Sequence, residues 1–495
     1  MTGAAPAAPA APTSAAVRFA TPTGRWIVAA AVLGSGVAFL DSTVVNAALP
    51  AIGRDLHADL ADLQWVLTTY LLTLGSLLVL GGALGDRFGR RRMFVAGLVG
   101  FAAASVLCGS AASIGMLIAA RAVQGVAAAL LVPGSLAIIS ASFHPDDRGR
   151  AIGAWSGLGG VATAAGPFLG GWLIDSVSWR LVFFVNLPLV AAAVAICLRH
   201  VPETRDVDAP ARVDVTGAVL LAGGLAGVVY ALIEGPSSGW PAAAVLLGAV
   251  GAVALAAWLA VELRSAHPMV PLGVFRSRQF SGANAVTFAV YAAFGATTFL
   301  LVVHLQSDLG YSALEAGASL IPVTVLMFLF SARSGALAQR IGPRLQMTVG
   351  PVVVAAGIGL LARVEPGRSY WESVLPAMVV IGAGLATTVA PLTASVLAAI
   401  DDHHAGLGSA INNAVARIAS LVAVAVLPAA AGISTSGGSL NDGFGTAMGI
   451  AAGLTVVGGV LAFLTIRRAA PVRQVTRADV FSACEDPCVR LREVS

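Results

Sequence analysis

Apolar residues in this chain come in long runs broken by short polar interruptions. The runs have the length of a bilayer crossing, about 20 residues. They lie at 26–49, 64–84, 93–111, 114–141, 150–174, 181–198, 213–234, 241–263, 281–305, 315–337, 345–363, 373–399, 408–430 and 444–466. The pattern predicts fourteen spanning helices. Residues 1–25 are rich in Ala, Pro and Thr and lack the basic start and apolar core of a signal peptide, so a disordered N-terminal arm is expected there. Residues 467–495 are expected to form a tail.

The polar interruptions set the orientation. Arginines crowd every second interruption, whereas only Arg54, Arg180, Arg363 and Arg368 belong to the alternate ones. By the positive-inside rule, both termini are expected in the cytosol. Composition agrees with this class. The chain is 57% hydrophobic and 11% charged, against about 25% charged in soluble domains. The net charge of +4 comes from loop arginines, so no nucleic-acid partner is expected. Every one of the 29 basic residues is Arg. Without a lysine the chain carries no P-loop and forms no Schiff base, which excludes a self-contained ATP-driven pump and a lysine-imine enzyme. Cys108 and Cys197 lie in apolar runs and read as core thiols. Cys484 and Cys488 have no companion ligands, so no metal site is expected. Gly157-Leu158-Gly159-Gly160 and Gly357-Ile358-Gly359 lie inside spanning runs with no strand before them, so they are not nucleotide loops.

The chain repeats itself. Gly82-Ala83-Leu84-Gly85-Asp86-Arg87-Phe88-Gly89-Arg90-Arg91-Arg92 is echoed 253 residues later by Gly335-Ala336-Leu337-Ala338-Gln339-Arg340-Ile341-Gly342-Pro343-Arg344. Asp146-Asp147 with Gly153 is echoed by Asp401-Asp402 with Gly408. Two echoes at nearly one offset argue for duplicated halves. The expected plan is a six-helix bundle over 26–198, a linker 199–212, an extra helix pair 213–263, a loop 264–280 and a second six-helix bundle over 281–466.

Candidate chemistry is sparse. Asp41 lies inside the first run, where an acid costs about 2.5–3.5 kcal/mol on insertion scales, so it should face the bundle interior. Arg121, inside the fourth run, is its natural partner. The pair reads either as a structural lock between two helices or as a proton site. Glu234, Glu262 and Glu315 sit at helix ends and are expected to be wet. In the first polar turn, Gly85 and Gly89 allow a tight reversal, and Asp86 has Arg87, Arg90, Arg91 and Arg92 within reach. In the fifth run, Pro167 should kink the helix, and Gly166 and Gly170, four apart, make a face for close packing.

The turn signature resembles that of the major facilitator superfamily. Leu40-Asp41-Ser42-Thr43-Val44-Val45-Asn46 through Pro50, Gln64-Trp65 with Tyr70, Arg121-Ala122-Val123-Gln124-Gly125, Gly166-Pro167-Phe168-Leu169-Gly170-Gly171 and Ser178-Trp179-Arg180 with Asn186-Leu187-Pro188 are together similar to the fourteen-helix drug:proton antiporters. The resemblance implies an all-α major facilitator fold of two pseudo-symmetric six-helix bundles. It implies Asp41 and Arg121 as the proton-coupling pair, and Gly82, Asp86, Arg87, Gly89, Arg90, Arg91, Gly166, Pro167, Gly170 and Gly171 as conformational elements. A cavity between the halves would draw substrate contacts from Asn46, Gln124, Tyr291, Phe294, His304, Thr387, Thr388, Asn413 and Arg417. The expected activity is proton-coupled export of small lipophilic drugs from a bacterial cytoplasmic membrane by a monomer. The proton-motive force would replace any cofactor. An exporter dedicated to one metabolite and a non-transporting membrane scaffold are the alternatives; an enzyme is not expected.

Overall fold

The structure, a computed structural model, describes residues 17–206, 214–265, 268–365, 367–400, 405–433 and 440–467. Positions 1–16 of the expected arm, 207–212 of the linker, the echo residues Asp401 and Asp402, and the tail beyond 467 with Cys484 and Cys488 lie outside the described residues.

Sixteen α-helices follow one another: α1 Pro22–Leu56, α2 Leu60–Phe88, α3 Arg90–Gly109, α4 Ile114–Ser142, α5 Pro145–Ser176, α6 Leu181–Phe184, α7 Asn186–His200, α8 Val215–Ser237, α9 Ala242–Arg264, α10 Arg278–Ser307, α11 Ala313–Ala318, α12 Ile321–Ile341, α13 Pro343–Leu361, α14 Tyr370–Leu397, α15 Ala405–Ala430 and α16 Asn441–Thr465. The pairs α6–α7 and α11–α12 each form one crossing, so the described residues hold 14 helices long and apolar enough to span a membrane. No named strand occurs among the described residues, in keeping with a lipid environment that tolerates only internally satisfied backbone. Local chemistry starts the helices where the polar breaks fall. Thr21 caps α1 ahead of Pro22, and Asp59 with Asp62 forms a capping box on α2. Ser312 with Glu315 does the same on α11.

The two halves repeat one packing scheme. In the first, α1 packs on α5 and α7, α2 on α4, and α3 on α4 and α7. In the second, α10 packs on α15 and α16, α12 on α14, and α13 on α14 and α16. The echoed turns match as well: Gly89 and Gly342 reverse the chain at φ of 109° and 84°, a conformation that favours glycine. The extra pair α8–α9 stands outside this scheme. Helix α8 lies against both α2 and α15, while α9 turns Leu246, Val250 and Val253 outward.

Taking the face from which α1 starts as the near side, contacts between the halves gather on the far side. Gln64 Nε2 donates to the Val424 carbonyl at 2.6 Å. Gln306 Nε2 donates to the Ala47 carbonyl at 3.0 Å. The Asp175 carboxylate accepts the N–H groups of Ala313 at 3.2 Å and Leu314 at 2.8 Å, the free donors at the start of α11.

Two expectations are corrected. Residues 17–25 are not a free arm. Val17 bridges Phe143, the Phe19 N–H donates to Asp147 at 3.1 Å, and α1 already begins at Pro22. Glu262 is not wet: it is 3% exposed because residues 268–271 fold back over the end of α9, and its Oε2 accepts the Val270 N–H at 3.2 Å.

Candidate functional site

The deep charges of the first half form one closed network. Asp41 on α1 and Arg121 on α4 are both fully buried, with Arg121 Nη1 at 2.5 Å from Asp41 Oδ2. Gln124, one turn along α4, accepts from Arg121 Nη1 at 2.5 Å and donates to Asp41 Oδ1 at 3.1 Å. Asn186, which opens α7, donates to the same Asp41 oxygen at 3.1 Å. Ser105 on α3 accepts from Gln124 at 2.9 Å and from Asn186 at 3.3 Å. The Arg121 Nε–H reaches the Val66 carbonyl at 3.2 Å, and its guanidinium lies 4.2 Å from the centre of the Tyr70 ring. That stacking depends on a close approach of α2 and α4. A Cβ on Gly125 would stand 2.5 Å from the Tyr70 carbonyl oxygen. Five helices thus converge on one carboxylate.

This arrangement is a fully buried carboxylate held by three donors. Its charge is balanced while Asp41 is ionised. The pair therefore ties the packing of α1 to that of α4.

The candidate substrate contacts separate into two groups. Tyr291, Asn413 and Arg417 come together and line a cavity of about 250 Å³ between the halves, with Phe39 of α1 forming part of the opposite wall. Gln124 belongs to the Asp41 network and does not reach this cavity. His304 is buried, bonded to Asp308 at 2.8 Å and stacked on Phe444. Thr388 is buried beside Gly350 and donates to its own helix at the Gly384 carbonyl. Thr387 donates to the Ala383 carbonyl, and Phe294 packs against the core. Asn46 is half-buried, and its Oδ1 has no hydrogen-bond partner.

The glycine elements also have defined places. A Cβ on Gly166 would lie 3.3 Å from the Leu40 carbonyl oxygen, and one on Gly170 would lie 3.2 Å from the Val44 Cα, so this edge of α5 rests on α1. Gly171 and Pro167 meet Leu314 and Gly317 of α11, in the other half. At the turn, Asp86 accepts from Arg90 at 2.8 Å, and Gly82 lies near Pro133. Arg87 stands over the Phe88 ring. Glu203 accepts the N–H groups of Arg91 and Arg92, and the Arg91 guanidinium donates to the Val201 carbonyl at 3.1 Å. Residues 201–206 thereby strap the start of α3.

Two pseudo-symmetric six-helix bundles with a charge network in one and a cavity between them define a membrane transporter fold. The chain belongs to the Major Facilitator Superfamily, whose family model matches residues 31–424. It is 35% identical over 399 residues to the tetracenomycin C resistance and export protein of Streptomyces glaucescens, covering 80% of this chain and 74% of that protein. It is 34% identical to the methylenomycin A resistance protein of Bacillus subtilis, covering 82% and 87%. The multidrug resistance protein Stp of Mycobacterium tuberculosis is 35% identical, with 80% and 73% covered. Among solved structures, the fold resembles a peptide transporter crystallised with sulfate, with TM-score 0.67 at 13% identity over 91% of this chain and 96% of that one. It also resembles a D-xylose–proton symporter, with TM-score 0.63 at 15% identity over 90% and 98%.

Proposed function

We propose that the chain is a proton-coupled exporter of small lipophilic drugs or antibiotics in a bacterial cytoplasmic membrane. Both termini lie in the cytosol, the far side is the cell exterior, and the proton-motive force drives the cycle. The observation that carries this reading is the sealed Asp41–Arg121 pair, in a chain whose relatives are named for resistance and export. The halves are joined at the far side, so the structure corresponds to a carrier that loads from the cytosol. Rocking of the halves opens the far side, Asp41 takes a proton from outside, and its return to the cytosol resets the pair.

The test is flux in proteoliposomes under an imposed proton gradient, with tetracenomycin C and puromycin as cargo. Wild type should move at least one of them with the gradient, and Asp41→Asn should fall to the liposome background while eluting as a monodisperse protein. Gradient-driven flux that survives Asp41→Asn would reject the role of the pair; no gradient-driven flux in wild type would reject the export reading. A narrower reading, an exporter serving a single metabolite, is favoured by relatives named for one compound each. A wide susceptibility panel on a deletion strain separates the two.

A further inference from the structure

We propose that the near-side cavity is an anion site in which Arg417 holds the carboxylate or phenolate of a flat apolar molecule, so that the cargo is a weak organic acid. The inference deepens the exporter reading and rests on it for the direction of transport, while the binding chemistry stands on the cavity.

Arg417 lies 12 residues from Ala405 and 13 from Ala430, at the middle of α15. That is roughly 18 Å from either end, near the bilayer midplane. Three arginines stand deep in spanning helices. Arg121 has Asp41, and Arg333 lies against the Phe330 ring at 5.7 Å. Arg417 is half-buried, and among the described residues it makes no ion pair and stacks on no ring, with Tyr70 and Tyr291 within reach of its charge. Its Cβ sits where α15 crosses Gly75 of α2, so the residue is fixed at the seam between the halves.

The cavity beside it contains no Asp or Glu. Several of its neutral donors are engaged by the protein. Asn412 donates to Asn284 and Thr287, Asn413 to the Ser409 carbonyl, and Ser420 to the Tyr291 carbonyl. The guanidinium therefore supplies free N–H donors with a geometry that matches a carboxylate. Phe39, Val396 and Leu397 provide an apolar wall for a flat body. Since Asp41 and Arg121 cancel, Arg417 is the uncompensated charge at the centre, and a lipophilic cation would meet repulsion there.

The experiment measures binding of three probes of one shape to the purified full-length carrier by equilibrium dialysis: 2-naphthylacetate, 2-naphthylacetamide and 2-(2-naphthyl)ethylamine. Wild type should bind the acid at least 10-fold more tightly than the amide and the amine least. Arg417→Gln should erase the preference, and Arg417→Lys should keep part of it. Equal affinities in wild type, no binding of the acid, or a preference surviving Arg417→Gln would overturn the assignment. Should Arg417→Gln not fold, Arg417→Lys and the wild-type acid-to-amide ratio decide it. Gradient-driven flux of puromycin or tetracenomycin C without acid preference would remove the anion site alone. Acid preference without gradient-driven flux of any cargo would remove the exporter reading alone.

Discussion

The two halves share a packing scheme but treat buried charge in opposite ways. In the first, Asp41 and Arg121 are fully buried, two amides donate to the carboxylate, and a hydroxyl accepts from both amides. In the second, Arg417 faces a cavity with no acid beside it. A duplicated fold supplies the same helix positions twice, and function has settled on different positions in each copy. The closed network locks two helices of its own half together, and the cation of the other half stays open to the cavity.

The comparison breaks most sharply if the closed network is opened. Arg121→Ala leaves a carboxylate buried without its partner, which should cost about 3–5 kcal/mol of stability, read as a fall in thermal midpoint in detergent. Adding Asp41→Asn to that variant should recover much of the loss, because no charge then remains uncompensated. A smaller effect is expected from Asn186→Ala, which removes one of three donors to Asp41. Stability should drop by about 1–2 kcal/mol and gradient-driven flux should slow, with probe binding in the cavity unchanged. The mildest change is Asp175→Ala, which uncaps α11 across the far-side seam at a cost of about 1 kcal/mol. It should raise labelling of an Ala47→Cys reporter by an impermeant thiol reagent on the far side by about fivefold.

Much of this was legible before the structure. Fourteen apolar runs gave fourteen crossings, because a bilayer leaves helices little choice. The Asp41–Arg121 pair stood out because an ionised side chain in an apolar run demands a partner. Asn186 and Ser105 gave no such signal, since amides and hydroxyls in spanning helices commonly satisfy themselves locally. Thr388, a candidate substrate contact by resemblance, instead is buried and donates to its own helix. Gln124 was assigned to the cavity, yet the turn that carries Arg121 points it at Asp41. Glu262 was misjudged because its burial comes from a loop folding back, which no periodicity encodes. The strap over α3 likewise depends on Glu203, an ordinary surface acid by sequence.

Helix α8 touches α2 of one half and α15 of the other, with Leu225, Val229 and Ile233 against Leu72, Leu421 and Ala425, and Trp65 bonded to Glu234 at 2.9 Å. The extra pair is therefore a gasket along one flank of the carrier. The opposite flank, where α5 meets α11 and α12, has no such cover among the described residues. From its middle to its far side the carrier is therefore shut along one flank and bare along the other, so any sideways route through those depths has a handedness set by a hairpin that the duplication did not supply.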